Sequence, residues 1–317
     1  MQNSETRAAT LPYTAALAII VVNLIFTCLA VYRILHMQSP SLDDEGRYHV
    51  LVTLAGSEVV SMVLSVALAI GTTQWFVERR GMMSPPGYAA ALIGLGYAIL
   101  GAVLPLAWWA ASHSFVQQMA SSSISLLVTV NFVVGLALKA IGVILPVWLV
   151  FHLLRKHERP TQPPYSMRLR ALLIFTLLVW AWVLSVAQFA VPAAMAMAPY
   201  YGYNFDSAPL IACVGSFGFV LPAFIGALLG LPRQPQHTRP LRLLLASVVV
   251  FLVSVLVLVG LTYALLRIAV AVNAGFEPTT GFVAFIWLIW FVLSVALSGL
   301  LVRGLTRERT VAADAVA

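Results

Sequence analysis

The chain has 317 residues, of which 61% are hydrophobic and only 9% charged, with a formal net charge of +7. A soluble domain carries about 25% charged residues, so this composition excludes a chain folded chiefly in water, and the mean hydropathy of +0.96 agrees. The basic excess belongs to loops that set membrane orientation, so it gives no sign of a nucleic-acid partner; the principal partner is the lipid bilayer.

An α-helix rises about 1.5 Å per residue, so about 20 apolar residues cross a hydrocarbon core of about 30 Å. Eight segments pass that test, at residues 11–35, 50–77, 88–111, 124–153, 170–198, 208–230, 241–272 and 281–302. They are continuously apolar, unlike the alternating strands of a barrel, and lipid leaves helices as the structure that satisfies its own backbone. The expected fold is an all-α polytopic bundle of about eight transmembrane helices, a single transmembrane domain over 1–317.

The first segment follows Arg7 but runs for about 24 residues, longer than the 7–15 of a secretory h-region, and reads as a retained span. It holds Asn23 and Thr27, one turn apart, and Cys28. With Cys213 as the other cysteine, a disulfide-rich ectodomain or a thiolate metal cluster is excluded. The two read as buried free thiols packed as small hydrophobes, with a Cys28–Cys213 disulfide as the alternative. After the span come His36, Asp44, Glu45 and His49, a donor set that suits a divalent metal. Ser41 with Asp44 also reads as a capping box opening the second span, which is the favoured account.

Spans two and four carry charge at depth. Glu58, Ser61, Ser65 and Thr72 recur at helical spacing on one face of the second span. Asn131, Gly135, Lys139, Gly142 and Pro146 do so on the fourth, and Pro146 frees a backbone carbonyl there. Ionisable residues inside a bilayer are costly and face a bundle interior or a wet cavity. Glu58 and Lys139 read either as an interhelical pair or with a neutral, protonated Glu58, since burying a bare carboxylate is costly. Functionally the two faces are a polar pathway or binding site, with Glu58, Ser61, Ser65, Asn131 and Lys139 as its candidates; structurally they are an ion pair within Ser and Gly packing.

Later spans are quieter. Ser185 and Gln188 form a polar pair read as packing, and Tyr200, Tyr201 and Tyr203 with Trp75, Trp108, Trp109 and Trp148 read as interfacial aromatic anchors. Gly215-Ser216-Phe217-Gly218 resembles a serine nucleophile site, yet no histidine shares its depth, and close helix packing explains it better. A Gly-x-x-Leu-Pro echo at Gly101, Gly142 and Gly218 hints at duplicated helical hairpins. Metalloprotease, P-loop and Gly-x-Ser-x-Gly motifs are absent, so catalysis and a cofactor are not expected.

Orientation follows from basic residues. With the N-terminus inside, fourteen Lys and Arg lie at cytoplasmic ends (Arg7, Arg79, Arg80, Arg155, Lys156, Arg159, Arg168, Arg170, Arg233, Arg239, Arg242, Arg303, Arg307, Arg309) against three outside (Arg33, Arg47, Arg267). That bias supports an even number of spans with both termini cytoplasmic. Short loops and compactness point to a bacterial inner-membrane transporter, channel or permease-like subunit for an ion or polar solute. The alternatives are a non-transporting assembly subunit, binding a membrane protein partner or a second copy of itself, and an intramembrane lipid-modifying enzyme.

Overall fold

A computed structural model describes residues 2–36, 44–80, 86–122, 124–154, 167–201, 208–232, 240–271 and 280–306. They form eight α-helices: α1 Gln2–His36, α2 Asp44–Arg80, α3 Pro86–Ser122, α4 Ile124–Leu153, α5 Met167–Tyr201, α6 Ala208–Gly230, α7 Pro240–Ala271 and α8 Thr280–Thr306. Seven are long and apolar enough to cross a membrane; α6 falls short of that test over Gly215–Gly230, its tested part. The all-helical class and the multi-pass membrane character expected from composition are therefore seen. Several helices overrun the apolar segments: α2 begins at Asp44 and α3 continues to Ser122. A helix that satisfies its own backbone has no need to stop where hydrophobicity does.

The side chains are sorted for lipid rather than water. Leu17, Val21, Leu24, Leu106, Leu145 and Leu256 are exposed, whereas Asn23, Ser65, Thr73, Gln74, Ser247 and Ser298 are buried. Lipid tails are as apolar as leucine, so burying leucine gains little. Close van der Waals packing and interhelical hydrogen bonds must hold the helices together instead.

Contacts cluster the chain into two compact units, residues 1–164 and 165–317. In the first, α1 packs on α2 and α3, and α4 packs on the same two helices, giving the ring α1–α2–α4–α3. In the second, α5 packs on α6 and α7, and α8 on the same two, giving the ring α5–α6–α8–α7. Adding four to each helix number converts one scheme into the other. The basic residues follow suit: Arg7 and Arg168 sit at the starts of α1 and α5, and Arg80 and Arg233 at or just past the ends of α2 and α6. The repeated pairing scheme thus spans four helices. The Gly-x-x-Leu-Pro echo falls on α3, α4 and α6, which do not correspond under this scheme.

Small residues set the closest approaches. In the first unit a Cβ on Gly94 would meet Ala18 at 3.1 Å, and one on Gly96 would meet Pro146 at 2.9 Å. In the second, a Cβ on Gly226 would fall on Ser298 Oγ and one on Gly230 on the Gly299 carbonyl, so α6 and α8 touch nearly backbone to backbone. Aromatic stacking adds to this between α2 and α4, where the Phe76 and Phe151 rings lie 5.2 Å apart.

Candidate functional site

The first unit places most of the candidate residues, and α2 carries the longest polar face. Thr72 and Thr73 return their hydroxyls to their own helix, at Leu68 O (2.6 Å) and Ala69 O. Such i−4 bonds satisfy a hydroxyl without any partner helix. Buried Gln74 donates to Glu78 Oε1 at 2.7 Å, and Arg79 lies 4.4 Å over the Trp75 ring, a cation–π contact at the end of the helix.

Higher on the same helix the pattern changes. Fully buried Ser65 sits 3.2 Å from Tyr97 Oη on α3, and Tyr97 donates to Asn23 Oδ1 on α1 at 2.9 Å. The Asn23 Nδ2 group donates to Ile19 O at 3.0 Å. Donor and acceptor roles follow in sequence. Asn23 Oδ1 can only accept, so the single Tyr97 proton points there and the Ser65 proton must point at Tyr97. The result is a directed chain, Ser65 to Tyr97 to Asn23 to the α1 backbone, joining three helices.

One turn before Ser65, the Ser61 hydroxyl is buried and has no hydrogen-bond partner. Glu58, three residues earlier and half-buried, continues this face. Lys139 is half-buried on α4, which packs against α2, yet no ion pair or hydrogen bond joins it to Glu58. The charges are thus near the expected helix faces but not engaged with each other. The Asn131 side chain lies outside the described residues.

The remaining sequence candidates separate. The His36 ring nitrogen meets Tyr32 O at 2.9 Å and its ring stacks on Tyr32 at 4.1 Å, so its own helix engages it. The side chains of Asp44, Glu45 and His49 lie outside the described residues, as do Ser41, Cys213, Gln188 and the Tyr200–Tyr203 cluster. Among the described residues no group of three His, Cys, Asp or Glu could hold a metal. Cys28 is free and exposed, a correction to the buried thiol expected; a small hydrophobe also fits on the exposed face of an apolar helix. Thr27 bonds to the Asn23 carbonyl rather than to its side chain, and Ser185 to Ala181 O. Asn23 and Thr27 therefore do not form a side-chain pair.

Ser216 is buried and accepts from Trp180 Nε1 at 3.0 Å, which fixes it as packing polarity between α5 and α6. The glycines around it, Gly215 and Gly218, face open space, so the close packing expected there occurs further along α6, at Gly226 and Gly230. An open groove of about 570 Å³ between α1 and α3 is lined by Thr14, Leu17, Val21, Ala91, Gly94 and Leu95. Its walls are almost wholly apolar and suit an acyl chain, not a polar solute.

Tyr97 was not singled out by sequence reasoning, and Asn23 only as half of a local pair. A signal existed: Tyr97 stands about ten residues inside its span, far from the interface where tyrosine anchors usually sit, and a buried phenol needs a partner. Searches against protein-family models, curated proteins and solved structures find no match for this chain.

Proposed function

We propose that the protein is a transporter, channel or permease-like subunit of a bacterial inner membrane, with eight spans and both termini cytoplasmic, that handles an ion or polar solute. Its polar pathway runs along the faces of α2 and α4 that bear Glu58, Ser61, Ser65, Asn131 and Lys139. The observation that carries this reading is the state of Glu58, Ser61 and Lys139. All three lie within apolar helices, and none has a hydrogen bond or ion pair among the described residues. A purely structural pair would have its charges matched, because an unmatched buried charge costs several kcal/mol, on the order of 3–5. Polar groups held ready without partners are what a ligand site requires.

The test is flux in proteoliposomes. Purified chain should move at least one member of a panel of inorganic ions, amino acids and sugars, and Glu58→Gln and Lys139→Met should lower that flux at least tenfold while retaining the wild-type melting profile. Unchanged flux in both folded variants overturns the assignment. Stoichiometric co-purification with a second membrane protein, and no flux, would instead mark an assembly subunit.

A further inference from the structure

We propose that the groove between α1 and α3 seats one acyl chain of an anionic phospholipid, whose headgroup lies at the end of the first unit that bears Arg7 and Arg79. The site is separate from the polar face of α2, and neither depends on the other.

The course of the groove matches one leaflet. A Cβ on Gly94 would meet Ala18 at 3.1 Å and one on Gly101 would meet Phe26 at 3.3 Å, so the contacts advance together and the two helices run in the same direction. The lining covers residues 14–22 of α1 and 87–98 of α3. The apolar segments of these helices begin at residues 11 and 88, so the groove starts where the hydrocarbon should start. At the helical rise its α3 wall is about 16 Å long, and half of a core of about 30 Å is about 15 Å. Just past its deep end Phe26 and Gly101 bring the helices together again.

The chemistry suits a hydrocarbon chain. Ala91, Gly94 and Ala98 leave room on α3, while exposed Leu17 and Val21 border the groove on α1. Thr14 supplies a hydroxyl, but that group already donates to Leu11 O at 3.1 Å. A chain lying between two helices meets protein atoms on both sides, which a chain against a single helix face does not, and dispersion contacts add up accordingly.

Charge at the mouth selects the headgroup. Arg7 precedes Thr14 by seven residues, two turns of α1, so it falls on the same side of the helix about 10 Å beyond the mouth. Glu5 is nine residues from Thr14, two and a half turns, and falls on the opposite side. Arg79 is exposed near the end of α2, and α3 begins only six residues after that end, so it belongs to the same end of the unit. Neighbouring Glu78 already accepts from Gln74 at 2.7 Å. Basic residues at a membrane surface favour anionic headgroups by about fivefold each, a gain that a zwitterionic lipid does not share. The deep end has a consequence for the fold: Val22 and Ala98 adjoin Asn23 and Tyr97, whose 2.9 Å bond joins α1 to α3. A seated chain braces the two helices that carry this bond.

The experiment is native mass spectrometry of the purified full chain in detergent, titrated with phosphatidylglycerol, phosphatidylcholine or oleate. The chain should retain one phosphatidylglycerol, at least tenfold more tightly than phosphatidylcholine or oleate. Gly87→Phe and Ala91→Phe fill the groove from positions where a larger side chain has space, since a Cβ on Gly87 meets nothing and Ala91 is exposed. Each should lower phosphatidylglycerol retention at least tenfold and keep the wild-type melting temperature in lipid-free detergent. Leu106→Phe, at an exposed position of α3 beyond the groove, should leave retention unchanged. Arg7→Gln combined with Arg79→Gln should bring phosphatidylglycerol down to the level of phosphatidylcholine. Unchanged retention in both groove variants marks lipid bound anywhere on the apolar surface and overturns the proposal. Phosphatidylcholine or oleate held as tightly as phosphatidylglycerol overturns it too, as does a preference for phosphatidylglycerol that survives loss of both arginines.

Discussion

The two four-helix units share one pairing scheme and hold it with different chemistry. The second unit is closed by tryptophan and glycine. Trp180 donates to Ser216, Trp182 to Ser247 at 3.1 Å, and Trp290 to the Ser254 carbonyl at 2.9 Å, while Gly226 and Gly230 let α6 lie against α8. Each indole bonds across to a neighbouring helix, Ser247 passes its own proton on to Leu244 O at 2.7 Å, and Trp287 and Trp290 pack edge to face at 5.1 Å. In the first unit one side-chain chain joins three helices rather than two, and beside it sit an unsatisfied hydroxyl, a carboxylate and a lysine. Both units keep buried polar atoms without a partner, Ser61 Oγ in the first and Ser294 Oγ and Arg168 Nε in the second, but only the first sets a carboxylate and a lysine on neighbouring helices among its described residues. That difference is the reason the proposed pathway is sought in the first unit.

The largest expected effect breaks the seal of the second unit. Gly226→Val and Gly230→Leu drive a side chain into Ser298 and into the Gly299 backbone, and backbone cannot step aside. Overpacking of this kind costs about 3 kcal/mol or prevents folding, to be read as loss of the monodisperse peak on size-exclusion chromatography. Gly135→Ala and Gly260→Ala, whose added Cβ atoms meet nothing, should be neutral or slightly stabilising. If all four behave alike, the α6–α8 contact is not what holds this unit.

An intermediate effect separates a single bond from a chain. Trp290→Phe removes the indole N–H bond to the Ser254 carbonyl and leaves room at a fully buried site, and Tyr97→Phe strands Asn23 Oδ1 while releasing Ser65. Each lost bond should cost about 1 kcal/mol, since membrane hydrogen bonds are individually modest, with a further cavity cost for Trp290→Phe. The distinguishing readout is coupling. Tyr97→Phe with Ser65→Ala should fall short of additivity by about 0.6 kcal/mol, whereas Trp290→Phe with Ser65→Ala should be additive, in chemical unfolding of the full chain.

Much of this fold is visible in the sequence because the bilayer is a demanding solvent: a run such as 241–272 leaves the backbone no option but helix. Glu58 and Lys139 are visible for the same reason, since any charge in such a run stands out. What is hidden is pairing. Glu58 and Lys139 invite an ion pair on charge alone, yet no ion pair or hydrogen bond joins them. Tyr97 and Asn23 look like an anchor and a local pair, yet meet across two helices. Periodicity fixes which residues share a face of one helix and says nothing about which face it meets. The ring α1–α2–α4–α3 is likewise beyond reach, because each apolar span would pack acceptably on any other.

The smallest effect is the most discriminating. Ser61 and Ser294 each have a buried hydroxyl that finds no partner, one in each unit. Removing an unsatisfied buried hydroxyl loses no bond and relieves its desolvation, so Ser61→Ala and Ser294→Ala should each leave stability within about 0.5 kcal/mol of wild type or raise it slightly. The two variants should be indistinguishable by melting temperature. They should part in proteoliposome flux, where Ser294→Ala keeps the wild-type rate and Ser61→Ala lowers it. A loss of stability for Ser61→Ala would mean that its hydroxyl already has a protein partner, and the polar face of α2 would then have one group fewer to offer a ligand.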